Sequence, residues 1–234
     1  MNFKGINILF EDNHIVVANK PCGMLSQKDT TNDDSILEYL KEFIKEKYNK
    51  PGNVFLGSVH RLDRTSSGVM VFARTSKALS RLNESLRENQ FSKKYYAIIQ
   101  AVIDENEGQL VDYLIKDIER NIVSAHKIQI PGSKKALLGF KKIKTIQNKT
   151  LLEIHLKTGR SHQIRVQLSS HFAPILADVK YGSTYKSKNR CIYLHCFELS
   201  IPHPTLKTIM KFECHPDETD KIWQEFFGEN KVTW

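Results

Sequence analysis

The chain has 234 residues, 40% of them hydrophobic and 9% aromatic, which supports a sizeable core and excludes a mostly disordered chain. No apolar run reaches membrane-spanning length, the start Met1-Asn2-Phe3-Lys4-Gly5 has no signal-peptide layout, and four cysteines are too few for a disulfide scaffold. The expectation is a cytoplasmic protein with no membrane association. Lysine and arginine number 35 against 26 acidic residues, a net charge of +9, and the positive residues recur along the chain without forming a tail. Such a balance suits a folded surface that meets a polyanion such as nucleic acid.

In chain order, Ile6–Lys20 reads as a hairpin with a turn at Asp12-Asn13. Ser35 or Asp34 is placed to cap a helix running to Lys47, whose Ile36, Leu37, Leu40, Phe43 and Ile44 follow the helical period. Val69–Ala73 is a continuous apolar run, the pattern of a strand covered on both faces. A second helix is expected from a Ser76 cap, with Leu79, Leu82 and Leu86 on one face. Strands follow at Lys94–Ala101, Asn121–Ile130, Ala136–Ile146, Leu151–Lys157, Tyr193–Ser200 and Lys207–Cys214. A short helix is expected around Ser161–Ser170 and another at Asp220–Phe227. With no repeat, no linker and no regular βαβ alternation, the pattern is α+β: a single mixed, largely antiparallel, curved sheet with flanking helices in one domain, 1–234.

No phosphate loop, dinucleotide fingerprint or nucleophile-elbow serine occurs. Cys191, His195, Cys196, Cys214 and His215 lack paired zinc spacing, so no metal and no cofactor is expected. The segment His60-Arg61-Leu62-Asp63-Arg64-Thr65-Ser66-Ser67-Gly68 is dense in polar groups and feeds the buried strand, where a rigid scaffold presents chemistry. Asp63 stands between two arginines. A carboxylate with cationic neighbours favours its ionised form, a poor base but a usable nucleophile; a loop ion pair accounts for the same spacing. Leu62 separates Arg61 from Asp63, and no Asp-Phe-Gly follows, which excludes a kinase catalytic loop. In Thr158-Gly159-Arg160-Ser161-His162-Gln163-Ile164-Arg165, Arg165 flanks the apolar stripe Ile164, Leu168, Phe172. A half-buried guanidinium there needs a carboxylate. In Lys93-Lys94-Tyr95-Tyr96, alternation puts the two tyrosines on opposite faces, one for the core and one free to meet a ligand.

In this order and spacing the segments resemble the RluA family of RNA pseudouridine synthases. The similar blocks are Asp12-x-x-Ile15-Val16-Val17-x-Asn19-Lys20-Pro21-x-Gly23-Met24; His60-Arg61-Leu62-Asp63 with Ser67-Gly68; Lys93-x-Tyr95-x-Ala97; and Thr158-Gly159-Arg160-x-His162-Gln163-Ile164-Arg165. Pro174–Asp178, Tyr181-Gly182, Leu194-His195 and His203-Pro204 follow. Two departures stand out: Gln167 replaces a histidine common in the family, and Thr65-Ser66 differs from the usual wording after the catalytic Asp-Arg.

The resemblance implies isomerisation of uridine to pseudouridine in a structured tRNA or rRNA held in a central cleft, without a cofactor. It implies Asp63 as nucleophile, Tyr95 stacked on the target base and assisting removal of its C5 proton, and Arg165 paired with Asp63. Arg61 would fill the space left by the flipped base. Arg64, Lys93, Arg160, His162 and Gln163 are read as further RNA contacts. The expected partner is RNA alone, with the protein a monomer. The first motif begins too early to leave room for the RNA-binding domain that precedes it in many relatives, so substrate choice is assigned to the insertions Asp104–Gln109 and Lys186–Arg190. The alternative is a non-catalytic RNA-binding or RNA-chaperone protein on the same fold, which would need no Asp63.

Overall fold

The computed structural model describes residues 1–31 and 33–228. In chain order these form β1 (Asn2–Phe3), β2 (Ile6–Glu11), β3 (Ile15–Lys20), α1 (Ile36–Lys47), β4 (Gly57–Ser58), β5 (Ser67–Ala73), α2 (Ser76–Arg87) and β6 (Ser92–Ile99). There follow β7 (Glu107–Asp117), β8 (Ile122–His126), β9 (Lys134–Ile146), β10 (Lys149–Leu156), α3 (Gln163–His171), a 3₁₀ turn (Val179–Tyr181), β11 (Leu194–Pro202), β12 (Ile209–Glu213) and α4 (Lys221–Phe227). The α+β class expected from the sequence is borne out. The chain separates into two units, one of Met1–Ser92 with Cys196–Cys214 and one of Lys93–His195 with His215–Trp234.

In the first unit the strand order is β1-β2-β3-β5-β11-β12, and β4 pairs with the end of β5. The expected hairpin is present, with β2 antiparallel to β3 and β3 to β5. Val69 to Ala73 of β5 are wholly buried, as the continuous apolar run requires for a strand with neighbours on both edges. Val69, Val71 and Ala73 share a cluster with Ile15, Val17 and Leu199 of the adjoining strands and with Ala78 and Leu82 of α2. Gly68, which opens this strand, has φ +129, and a Cβ there would strike the backbone of Cys196, so the position accepts only glycine.

A side-chain clip fastens the ends of this sheet. Asp12 Oδ1 accepts the amides of His14 and Ile15, each at 2.7 Å, and Oδ2 accepts His203 Nε2 at 2.7 Å from 191 residues away. His203 Nδ1 in turn accepts the amides of Thr205 and Leu206. The ring is therefore the Nε2–H tautomer, and it joins the β2–β3 turn to the β11–β12 turn.

In the second unit the order is β6-β10-β9-β7-β8, every ladder antiparallel. α3 packs here and is buried at all six positions from Gln163 to Leu168. Four expectations are corrected. α2 is capped by Thr75, whose side chain accepts the Ala78 amide, and Ser76 is its first residue. Ser35 occupies the cap position of α1 without a side-chain cap bond. α3 starts at Gln163 rather than Ser161. β7 was not expected as a strand, and it takes in Glu107–Gln109 from the segment read as an insertion. Its alternation buries Leu110, Asp112 and Leu114, so a carboxylate sits in the middle of the inward face and interrupts the apolar pattern that marks a strand.

Candidate active site

Asp63 lies in the loop between β4 and β5, half-buried, between exposed Arg61 and Arg64 and beside buried Leu62. The loop is closed on itself: the Ser66 amide and hydroxyl both donate to the Asp63 carbonyl at 3.1 Å. It is also tied to the segment after β3. Ser26 Oγ donates to the Leu62 carbonyl at 2.7 Å and accepts the Leu62 amide at 3.1 Å. The Gly23 amide donates to the Arg64 carbonyl at 2.8 Å, and Arg64 Nε returns to the Gly23 carbonyl at 3.0 Å. Arg64 Nη1 also meets Asp33 at 2.6 Å. The Val71 amide donates to His60 Nε2, which fixes the start of the loop against β5.

Beneath this loop lies Lys20, fully buried. Its ammonium donates to the carbonyls of Pro21 at 3.0 Å, Met24 at 2.9 Å and, more weakly, Arg64 at 3.5 Å. Burial pulls its pKa down to about 7; the Asp63 charge opposes that fall and Arg64 adds to it. The Lys20-Pro21-x-Gly23-Met24 block and the Asp63 loop are thus one construction, with carbonyl oxygens of both gathered on one amine.

Tyr95, Arg165, Lys93, Arg160, His162 and Gln163 belong to the second unit. Arg165 is buried rather than half-buried. Its Nε donates to Asp178 Oδ2 at 2.7 Å and its Nη2 to Asp178 Oδ1 at 2.8 Å, the two-pronged geometry that suits a guanidinium and a carboxylate. The guanidinium also stacks over the Tyr181 ring, 5.0 Å from its centroid. The Tyr181 hydroxyl accepts the Val123 amide at 3.1 Å and shares a hydrogen bond with His162 Nδ1 at 2.8 Å. His162 itself sits in the left-handed region at φ +51, just before α3.

The Gln163 amide is saturated. Its Oε1 accepts Thr158 Oγ1 at 2.8 Å and the Arg160 amide at 3.0 Å, and its Nε2 donates to the Leu137 carbonyl at 3.1 Å and to Gln167 Oε1 at 3.0 Å. Gln163 therefore shapes the turn that carries Arg160. Gln167 Nε2 continues the chain to Asp112 Oδ2 at 2.8 Å, where His171 Nε2 also arrives at 2.8 Å, and Lys127 meets Oδ1 at 3.2 Å. Burial pushes the Asp112 carboxyl upward, but hydrogen bonds from Gln167, His171 and Lys127 outweigh it and hold it below the usual carboxylate range. Arg160 is exposed, with Nε on the Lys135 carbonyl. A Cβ placed on Gly159 would lie 3.7 Å from Lys93 Nζ, so Lys93 stands beside the same turn.

Tyr95 faces Ile154 across β6 and β10. Tyr95 and Tyr96 are both buried, Tyr96 against the Phe227 ring at 5.0 Å, so exposure does not separate them as alternation suggested. Among the described residues no three His, Cys, Asp or Glu side chains cluster to hold a metal ion. The sequence reading assigned no role to Lys20, Asp178, Tyr181 or Asp112. A buried arginine on α3 signalled a missing carboxylate, and an internal lysine at the end of an apolar strand was the available hint for Lys20.

Residues 14–170 match the family model described as RNA pseudouridylate synthase. The chain is 34% identical over 207 residues to the ribosomal large subunit pseudouridine synthase C of Buchnera aphidicola subsp. Baizongia pistaciae, covering 86% of this chain and 64% of that protein. It is 30% identical over 214 residues to the dual-specificity RNA pseudouridine synthase RluA of Haemophilus influenzae, covering 91% of this chain and 94% of that protein. The solved structure of human RNA Pseudouridylate Synthase Domain Containing 4 superposes with a TM-score of 0.77 over 94% of this chain and 92% of that one, at 23% identity, a likeness of fold. The spacing of the motifs, the family model and relatives matched over most of the chain agree: the chain belongs to the RNA pseudouridylate synthase family, in its RluA branch.

Proposed function

We propose that the chain is an RNA pseudouridine synthase, an isomerase acting on specific uridines in structured tRNA or rRNA, with Asp63 as its nucleophile. The observation that carries this reading is the fixed presentation of Asp63: a half-buried carboxylate on a loop closed by Ser66 and held from below by Lys20. A loop whose backbone is tied at several points presents its carboxylate from a fixed position, which suits nucleophilic attack because less motion is left to freeze out in the transition state.

The target uridine leaves its stack, since its reacting atoms are unreachable inside a helix, and Arg61 fills the space. The Asp63 carboxylate attacks, at either the ribose C1′ or the uracil ring, and the N1–C1′ bond breaks. The base rotates, C5 bonds to C1′, and the bond to Asp63 breaks and returns its electron pair to the carboxylate; the C5 proton departs with help from Tyr95 and N1 takes up a proton, so no redox partner is needed. Arg165 is the third catalytic residue. Arg64, Lys93, Arg160 and His162 meet the RNA backbone, and Gln163 acts by holding the Arg160 turn. On this reading residues 1–234 work in the cytoplasm as one monomeric catalytic domain, with RNA as partner and no metal or cofactor.

Pseudouridine mapping of total cellular RNA with and without the protein tests the proposal. Loss of pseudouridine at discrete tRNA or rRNA positions is the expected result. Identical maps, with RNA binding retained, would favour a non-catalytic RNA-binding protein.

A further inference from the structure

We propose that Asp178 is the positioning residue for Arg165, setting the plane of its guanidinium for catalysis. The inference rests on the reading of Arg165 as a catalytic residue. An arginine on a helix has several rotatable bonds, and its own helix restricts only the first of them. Asp178 does, from 13 residues away, by taking the Nε–Nη2 edge in two parallel bonds of 2.7 and 2.8 Å. The side chains are 6% and 1% exposed, so water is not at hand to replace either bond. Tyr181 closes one face of the guanidinium at 5.0 Å. With that edge and that face occupied, the orientation of Nη1 is set.

Asp178 is itself held rigidly. The preceding residue, Ala177, is a non-glycine at φ +70, kept there by its amide bond to Ser183 Oγ at 3.0 Å. The Asp178 amide donates to the Ile175 carbonyl at 2.9 Å, and its own carbonyl accepts the amides of Tyr181 and Ser183, each at 3.0 Å. A non-glycine residue in the left-handed region persists only where its surroundings over-determine it. The carboxylate therefore stands on a turn that cannot follow Arg165 if Arg165 moves. A structural salt bridge needs only the pairing of charges. This arrangement fixes direction as well, which is what a group acting at a reacting centre requires.

The test uses the full chain and an RNA transcript containing a mapped target uridine, in single-turnover assays with RNA affinity measured separately. Asp178→Asn keeps the shape and loses the charge; the expected result is a chemical rate lower by about a hundredfold with RNA affinity changed by less than about twofold. In an Arg165→Lys background the same substitution should cost little more, because the two act through one geometry. Equal losses in both backgrounds, or a wild-type rate for Asp178→Asn alone, would overturn the proposal. If Asp178→Asn does not fold, Asp178→Glu carries the test. It keeps the charge but moves the carboxylate by one methylene, and should bind RNA normally while turning over about tenfold more slowly; a wild-type rate would again overturn the proposal. Turnover retained by Asp63→Asn would instead remove the underlying reading of the site, whatever Asp178 does.

Discussion

The two units hold their charged residues in different ways. The first carries 15 lysines and arginines against 13 acids, and its interior is an apolar cluster around β5 and α2. Asp63 is presented there by backbone: amides and carbonyls of Gly23, Leu62 and Arg64, a serine at each end, and one buried ammonium. The second unit carries 20 basic residues against 13 acids, and its central helix is polar and buried. Arg165 is held by the Asp178 carboxylate, and Gln163 and Gln167 run side chain to side chain onto the buried Asp112 carboxylate, with the Arg160 amide and the Leu137 and Leu110 carbonyls as further partners. A loop held by backbone tolerates the loss of one side chain, because its other bonds remain. A chain of buried side chains loses its whole continuation when one member goes. The basic excess of the second unit also places most of the expected phosphate contacts there.

The contrast is broken most directly at Asp112. Asp112→Ala takes from the buried Gln167 Nε2 the shorter of its two bonds, leaving only the Leu110 carbonyl at 3.2 Å, and removes the anion facing His171 and Lys127, so it should lower stability by about 2–4 kcal/mol in chemical denaturation. A loss below about 0.5 kcal/mol, the range of an ordinary surface change, would show that the polar interior of the second unit is not what holds it.

Charge removal gives the next effect. If about five phosphates are neutralised, affinity for RNA should fall on the order of a hundredfold between 50 and 200 mM salt, from a slope of roughly −0.7 per contact. Lys93→Gln with Arg160→Gln should flatten the slope of log affinity against log salt by about 1.4. Removing two lysines of α1 in the first unit, half-buried Lys41 and exposed Lys45, should leave the slope unchanged. Equal flattening in both cases would mean that charge is used without regard to unit.

The smallest effect concerns pH. Lys20 has a pKa near 7 in the folded chain and the ordinary lysine value when unfolded. Between pH 7 and about 10.5 the unfolded chain binds the extra proton, so Lys20 makes stability rise with pH across that window. Lys20→Met should flatten the rise, measured by denaturation at pH 7 and pH 9. An unchanged pH dependence would show that the amine is not desolvated as its surroundings imply.

The Asp63 loop was legible in the sequence because its chemistry is concentrated in nine consecutive residues next to an apolar strand. Arg165 was legible as a cation needing a carboxylate, but not its bidentate partner. Asp178 lies beyond the end of α3, and no periodicity links a helix to a turn that folds back on it. The β7 strand was hidden by Asp112, since a buried carboxylate breaks the alternation by which strands are recognised. For the same reason Gln167 read as a neutral departure from the family pattern, when its amide is the link between Gln163 and that carboxylate. Lys20 read as the polar end of a strand, whereas its position under the Asp63 loop depends on a long-range fold.

The central claim is that Asp63 performs the isomerisation. It is tested most directly by comparing the wild-type chain with Asp63→Asn in single turnover on a transcript labelled with tritium at uridine C5, reading label release and pseudouridine together. The amide keeps the shape of the side chain and is not a usable nucleophile, so the account predicts no release and no pseudouridine at unchanged RNA affinity. Turnover by Asp63→Asn at the wild-type rate would contradict it.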